Sequence, residues 1–261
     1  SLAYDWMYDY WTPQQKKIME EAAYENCFWV AMESYMGTKN DMQGTIHQNN
    51  HNTVVNSGLS MLAFAMMDVY PEYTSFITSN AIRSIEYMIE NFAPFGSYIE
   101  GPSYASITID YLSTFMATYE SVLGNLYSLK EVEGISYAPD FLVYDQSDVG
   151  CFNYGDAEFG FATSPGLFYL FDLYDIKGAK QTVASHSKYS SYTSALAFSL
   201  LWYGEEDVTD SKEYDLDVFY DDINLVTARD SYNPGQIFAA FKGGPTNPTT
   251  FNADMDMGSF V

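Results

Sequence analysis

The sequence predicts an α+β protein in two parts: a series of helical hairpins, then the opening strands of an antiparallel sheet. Three observations carry this. Apolar residues recur at three- and four-residue steps along most of the chain before residue 213. Beyond that point the pattern turns to alternation, and the breaks between segments are short and rich in Gly and Pro.

Residues 13–36, "PQQKKIMEEAAYENCFWVAMESYM", have helical spacing, with Thr12 as N-cap, Pro13 at the first helical position and Gly37 as the stop. Residues 52–69 form an apolar helix that Pro71 is expected to close. Residues 71–92 place Ile82, Ile85, Met88 and Ile89 on one stripe. Residues 102–128 continue the pattern, and 165–175 and 186–203 give two further helices. Helices of this length in series imply stacked antiparallel hairpins. Then "YDLDVFY", "INLVTARDS", "QIFAAFKGG" and "GSFV" read as strands parted by Asn-Pro-Gly and Gly-Gly-Pro turns. The expected domains are therefore 1–212, helical, and 213–261, the first strands of a sheet. The chain opens on "SLAYDWMYDYWTP" as though already inside a domain and stops at "DMGSFV" as though in mid-strand. A piece of a longer protein, short of its upstream helices, is expected, and the lack of a leader carries little weight.

Composition narrows the partners. Eleven basic against 35 acidic residues leave a net charge of −24, which repels nucleic-acid phosphates, anionic membranes and heavily sulfated polymers. No run of about 18 apolar residues is present, so no membrane insertion is expected. The chain carries 24 Tyr, 18 Phe and 4 Trp, side chains that stack on sugar rings as readily as they fill helical layers. Two cysteines, Cys27 and Cys151, make no disulfide framework.

Four stretches carry residue types suited to chemistry. "HQNNHNTVVNSG" (47–58) holds two of the three histidines, His47 and His51, ahead of an apolar helix, where asparagines can cap it and present His51. The two histidines lie four apart, as zinc ligands on a helix can, but no third ligand is visible. "APFGSYIEGPSYASITIDY" (93–111) presents Tyr98, Glu100 and Tyr104 around a Gly96 and Gly101-Pro102 turn. "GCFNYGDAEFG" (150–160) packs polar groups among aromatics without period, as a loop over a cleft does. "TFNADMDMGSFV" (250–261) alternates Asn252, Asp254 and Asp256 on one strand face.

Taken together, "LAYDWMYDYWTPQQKKIMEEA", "NNHN…NSG", "PFGSYIEGPSY", "FNYGDA", "FAAFKGG" and "DMDMGSF" resemble, in order, the heparinase II/III-like polysaccharide lyases along nearly the whole chain. The resemblance implies an incomplete α/α toroid followed by an antiparallel β-sandwich, with the active cleft between them. It implies β-elimination on a uronic-acid polysaccharide. Carried over by position, Asn50 and His51 match the pair that neutralises the uronate carboxylate, and Tyr104, in E-G-x-x-Y, matches the acid/base tyrosine. Neutralising the carboxylate acidifies the C5 proton by stabilising the enolate that develops. A tyrosine delivering a proton to the leaving O4 adds about 10²–10⁴-fold. Tyr98, Glu100, Tyr154, Arg229 and Lys242 are the expected substrate-binding residues.

The chain departs from the family at its last strand. The family pattern is H-x-H-x-D-x-G-x-F, where the first His assists catalysis and the second holds a structural zinc. Here the row is "NADMDMGSF", with Asn252 in the first place and Asp254 in the second. Asn252 can donate to a carboxylate but cannot act as a base. Asp254 is the candidate ligand for a zinc or other divalent cation. With two arginines, Arg83 and Arg229, and nine lysines, the expected partner is an unsulfated or lightly charged uronate polysaccharide. Two other readings stay open: a lyase-like scaffold kept for carbohydrate binding, and a toroid glycoside hydrolase pairing Glu100 with Asp156 or Glu158. Polymer substrates of this kind imply a secreted, periplasmic or cell-surface protein, and oligomer formation is left open.

Overall fold

The computed structural model describes residues 1–38, 45, 47–158, 160–180, 183, 193–204, 212–244 and 257–261. Helices are followed by an antiparallel sheet, and the described residues fall into two compact units. One comprises Ser1–Met88 with Thr114–Leu129, the other Ile89–Ser113 with Lys130–Val261.

The first unit is helical. α1 (Leu2–Trp6) precedes α2 (Pro13–Ala23), which begins with a capping box. The Thr12 hydroxyl accepts from the Gln15 backbone N–H at 3.3 Å, and the Gln15 side chain accepts from the Thr12 N–H at 2.9 Å. The helix widens into a π turn at Tyr24–Phe28 and continues as α3 (Trp29–Tyr35). Gly37, at φ +65°, provides the expected stop. α4 (Asn50–Ala65) and α5 (Pro71–Ile89) follow, with the C-terminal half of α6 (Pro102–Leu123) completing the unit. Pro71 opens α5 rather than merely closing α4, because proline's missing N–H is harmless in a first turn. Tyr4, Phe28, Ala31, Leu59, Ala63, Met66 and Ile77 are buried together as its core.

The second unit mixes both kinds of structure. It takes the N-terminal half of α6, then α7 (Ala138–Tyr144), α8 (Gly166–Leu173) and α9 (Thr193–Tyr203), and ends in β1 (Asp217–Tyr220), β2 (Leu225–Arg229), β3 (Phe238–Lys242) and β4 (Ser259–Phe260). The strands pair antiparallel in sequence order. Register sets Tyr220 opposite Leu225 and Leu225 opposite Lys242, a row on the buried face, with Thr227 and Ala240 opposite one another on the same face. The next row, Phe219, Val226, Phe241 and Phe260, points the other way, and its three phenylalanines are exposed. Phe141 of α7 meets the Tyr220 ring edge-on at 5.4 Å, seating the sheet on that helix.

Candidate functional site

Asn50 and His51 belong to the first unit. Tyr98, Glu100, Tyr104, Tyr154, Arg229 and Lys242 belong to the second, and Asn252 and Asp254 lie outside the described residues.

The asparagine run starts α4 two residues earlier than its composition predicts. Its amides are spent on tertiary partners that hold the helix in place of propensity. Asn52 is fully buried, and its Nδ2 reaches His47 O at 2.6 Å, Ser84 Oγ at 2.8 Å and Ser84 O at 3.2 Å. One turn on, Asn56 Nδ2 donates to Asn52 Oδ1 at 2.9 Å and to Thr45 O at 3.4 Å, while Tyr35 OH donates to Asn56 Oδ1. Ser84 Oγ donates to Thr45 O, and the Ser34 and Thr45 hydroxyls bond at 2.7 Å. The run is thus a buried polar knot tying the segment before α4 to α3, α4 and α5. Above it His51 is exposed in the first turn of α4, whereas Asn50 is only 3 % exposed. The spacing N-x-x-x-N at 52 and 56 was the available sign of this knot.

In the second unit the turn before α6 is held by close backbone approaches. Gly101 sits at φ +92°, where a Cβ would lie 2.5 Å from Tyr154 O; at Gly96 (φ +80°) it would meet the Tyr137 carbonyl carbon at 2.3 Å. The turn buries Tyr98 and Glu100 completely. Tyr98 OH donates to Glu100 Oε1 at 3.2 Å and accepts from Thr108 Oγ1 at 3.2 Å, and Tyr154 OH donates to Tyr98 O at 2.7 Å. Burial first, and then Glu100, hold the Tyr98 phenol far above its ordinary value. Lys242 approaches the same cluster: its Nζ lies 5.7 Å from the Tyr154 ring centre and donates to the carbonyls of Ile223 and Gly243. The carboxyl that the hydrolase reading needs at Glu100 is therefore inside the protein.

Tyr104 stands apart from these. It lies in the first turn of α6 and is part-exposed. Burial, then the carboxylates of Asp156, Glu100 and Glu158, raise its phenol above the usual tyrosine value, so its hydroxyl proton is held. Asp156 and Glu158 are themselves exposed on the 150–160 loop.

Arg229 is 8 % exposed at the end of β2. Its Nη1 donates to Gln146 O at 2.8 Å and its Nη2 to Tyr144 O, and its guanidinium lies 4.3 Å from the Tyr232 ring centre and 4.9 Å from that of Phe238. Both sequence-predicted cations, Arg229 and Lys242, thus point into the unit and bond backbone carbonyls. Composition cannot distinguish a cation so placed from one facing a substrate.

Among the described residues no group of three or more His, Cys, Asp or Glu side chains is placed to hold a metal ion. No described helix is long and apolar enough to cross a membrane. Compared with known proteins, the chain matches no protein-family model and no curated sequence.

Proposed function

We propose that the chain is the helical and early sheet portion of a polysaccharide lyase, an α/α toroid followed by a β-sandwich, that cleaves a uronic-acid polymer by β-elimination. The motif succession supports it, and so does the order of helices and then antiparallel strands. The observation that carries it is the state of Tyr104: a part-exposed phenol at a helix start whose proton is held by burial and by neighbouring carboxylates. A phenol so placed is suited to protonating the leaving O4, and its oxygen, having given up that proton, takes the proton from C5, so the tyrosine ends the elimination in the form in which it began.

His51 is the exposed donor for the uronate carboxylate, aided by the positive end of α4. Asn50, buried behind it, has to be uncovered by substrate in order to contribute. Asn252 is assigned as a further donor, and Asp254 as the candidate cation ligand. The acidic balance, with Arg229 and Lys242 both turned inward, favours an unsulfated or lightly charged polymer found outside the cell.

The test is ultraviolet absorbance, which rises as elimination creates an unsaturated uronate, on alginate, hyaluronan, chondroitin, heparan sulfate and heparin. A rise lost in Tyr104→Phe and in His51→Ala is the expected result, with the unsulfated polymers fastest. A new reducing end without absorbance would mean hydrolysis, and binding without cleavage a carbohydrate-recognition scaffold.

A further inference from the structure

At the C-terminal end of α7 the second unit buries a carboxyl that the surrounding side chains leave unbonded. Asp145 is 0 % exposed, and neither of its side-chain oxygens has a hydrogen-bond partner among the described residues. A buried carboxylate without hydrogen bonds is strongly disfavoured relative to its neutral form. One charged group, Arg229 of β2, acts on it from another element, and it acts in turn on Tyr220 of β1 and on Cys151, on the returning arm of the 145–160 loop. Only Arg229 is cationic. The other two are acids kept neutral by burial, with the Cys151 thiol pushed up to about 12 by burial and then by Asp145.

The guanidinium does not satisfy this carboxyl. It grips the backbone on either side of it, at Tyr144 O and Gln146 O, and leaves its own buried Nε without a partner. Gln146 Oε1, next in the chain, and Thr227 Oγ1, two residues before Arg229 on the same strand face, are likewise buried and unbonded. Unsatisfied buried polar atoms on this scale are rare in folded proteins, and these belong to Asp145 and Gln146 at the end of α7 and to Thr227 and Arg229 on β2. The same residues root a loop. Asp145 O accepts from Phe152 N at 2.9 Å, and Gln146 pairs with Cys151 in an antiparallel bridge.

We propose that Asp145 and Arg229 form a pH-operated latch at the root of the 145–160 loop. With the carboxyl neutral, Arg229 holds the carbonyls of Tyr144 and Gln146 and fastens β2 to the end of α7. When the carboxyl loses its proton to water, the guanidinium turns its free Nε edge to the new anion and releases at least one of those carbonyls. The pairing at Gln146–Cys151 and Asp145–Phe152 then loosens. Burial holds the Asp145 carboxyl well above the usual carboxylate range, and Arg229 draws it back only in part. The latch is therefore closed at low pH and opens as pH rises. Its loop carries Tyr154, Asp156 and Glu158, so its state reaches the surroundings of Tyr104 whatever reaction that tyrosine serves.

Hydrogen exchange of the intact chain, read by mass spectrometry from about pH 4 to about pH 9 and corrected for intrinsic rates, tests this. Protection of segment 145–152 is expected to fall about tenfold or more across the carboxyl's titration, a tenfold change corresponding to one pKa unit, while α8 stays protected. Asp145→Asn, neutral at every pH, is expected to keep the protected state throughout. Unchanged protection of 145–152, loosening in step with α8, or the same transition in Asp145→Asn would each overturn the latch. Should that variant fail to fold, the infrared carbonyl band of a protonated carboxyl in the parent protein decides. Its loss over the pH range in which 145–152 loosens supports the latch, and its loss in a different range, or its absence throughout, rules the latch out.

Discussion

Asn56 and Asn52, one turn apart on α4, hydrogen-bond through their side chains at 2.9 Å, and both are fully buried. Each also binds the segment ahead of the helix, Asn52 at His47 and Asn56 at Thr45. Asn56→Ala strips a donor from Asn52 Oδ1 and an acceptor from Tyr35 OH, and about 1–3 kcal/mol is lost for each buried group left bare. Urea unfolding should show a loss of at least about 2 kcal/mol with the transition slope unchanged. An effect within about 0.5 kcal/mol, the range of ordinary surface changes, would mean that the knot holds nothing.

Asp110, on α6, accepts from Ser164 Oγ and from the Gly166 N–H at 3.0 Å, and so anchors the start of α8. Burial nevertheless raises its carboxyl from 3.8 to about 6, outweighing those two hydrogen bonds. In the window between those values the folded state holds more proton than the unfolded chain. Stability is therefore fully present below about pH 4 and declines as pH rises to about 6. With partial solvent access allowed for, the contribution is of order 1–2 kcal/mol. Asp110→Asn keeps both acceptor contacts and should abolish that part of the slope in denaturation midpoints measured across the window.

Gly134 and Gly58 should respond to the same substitution in opposite directions. At Gly134, φ is +90° and a Cβ would lie 2.0 Å from Phe92 O, so Gly134→Ala forces two backbones apart and should cost about 3 kcal/mol or more. At Gly58, inside α4, nothing lies within 4 Å of the added methyl, and Gly58→Ala should raise stability by about 0.5–1 kcal/mol. Thermal unfolding of the two variants checks both signs.

Asp156 and Glu158 are exposed, so replacing them should leave the fold intact while changing the field at Tyr104. In the double variant Asp156→Asn with Glu158→Gln the Tyr104 phenol should titrate at lower pH than in the parent. The measurement is the ultraviolet signal of tyrosinate, isolated by subtracting the Tyr104→Phe background. Burial remains the larger cause of the shift, so part of the elevation should survive. Full persistence would remove the two loop carboxylates from any account of Tyr104.

Much of the fold was legible because local chemistry and tertiary structure agree. Thr12 and Pro13 start α2 by a capping box, the Ile82–Ile85–Ile89 stripe is α5, and β-rich alternation locates all four strands. α1 and α7 were missed because five and seven residues are too few to display a helical period. The candidate residues divide in the same way. His51 is exposed and Tyr104 part-exposed, since a helix start needs only local signals to present a side chain. Arg229 and Lys242 are buried by contacts with residues far away in the chain, Arg229 on Tyr144 and Gln146 and Lys242 on Ile223, and Glu100 is buried beside Tyr98, whose carbonyl Tyr154 caps from another loop. No short stretch contains that information. Nothing in the sequence marks Asp145 as buried, since an Asp in a stretch without period is ordinarily solvated.

The π turn at Tyr24–Phe28 gives α2 and α3 a tolerance that a regular helix lacks. A turn closed by i→i+5 bonds contains one residue more than its α counterpart, while the faces before and after it stay in phase. Removing a single residue there, Cys27 for example, would tighten the turn to an ordinary one and leave Ala23 and Ala31 against the same neighbours. In a regular stretch such as α5 the same deletion would rotate everything downstream by about 100°. At this turn the first unit can lose a residue without losing its alignment.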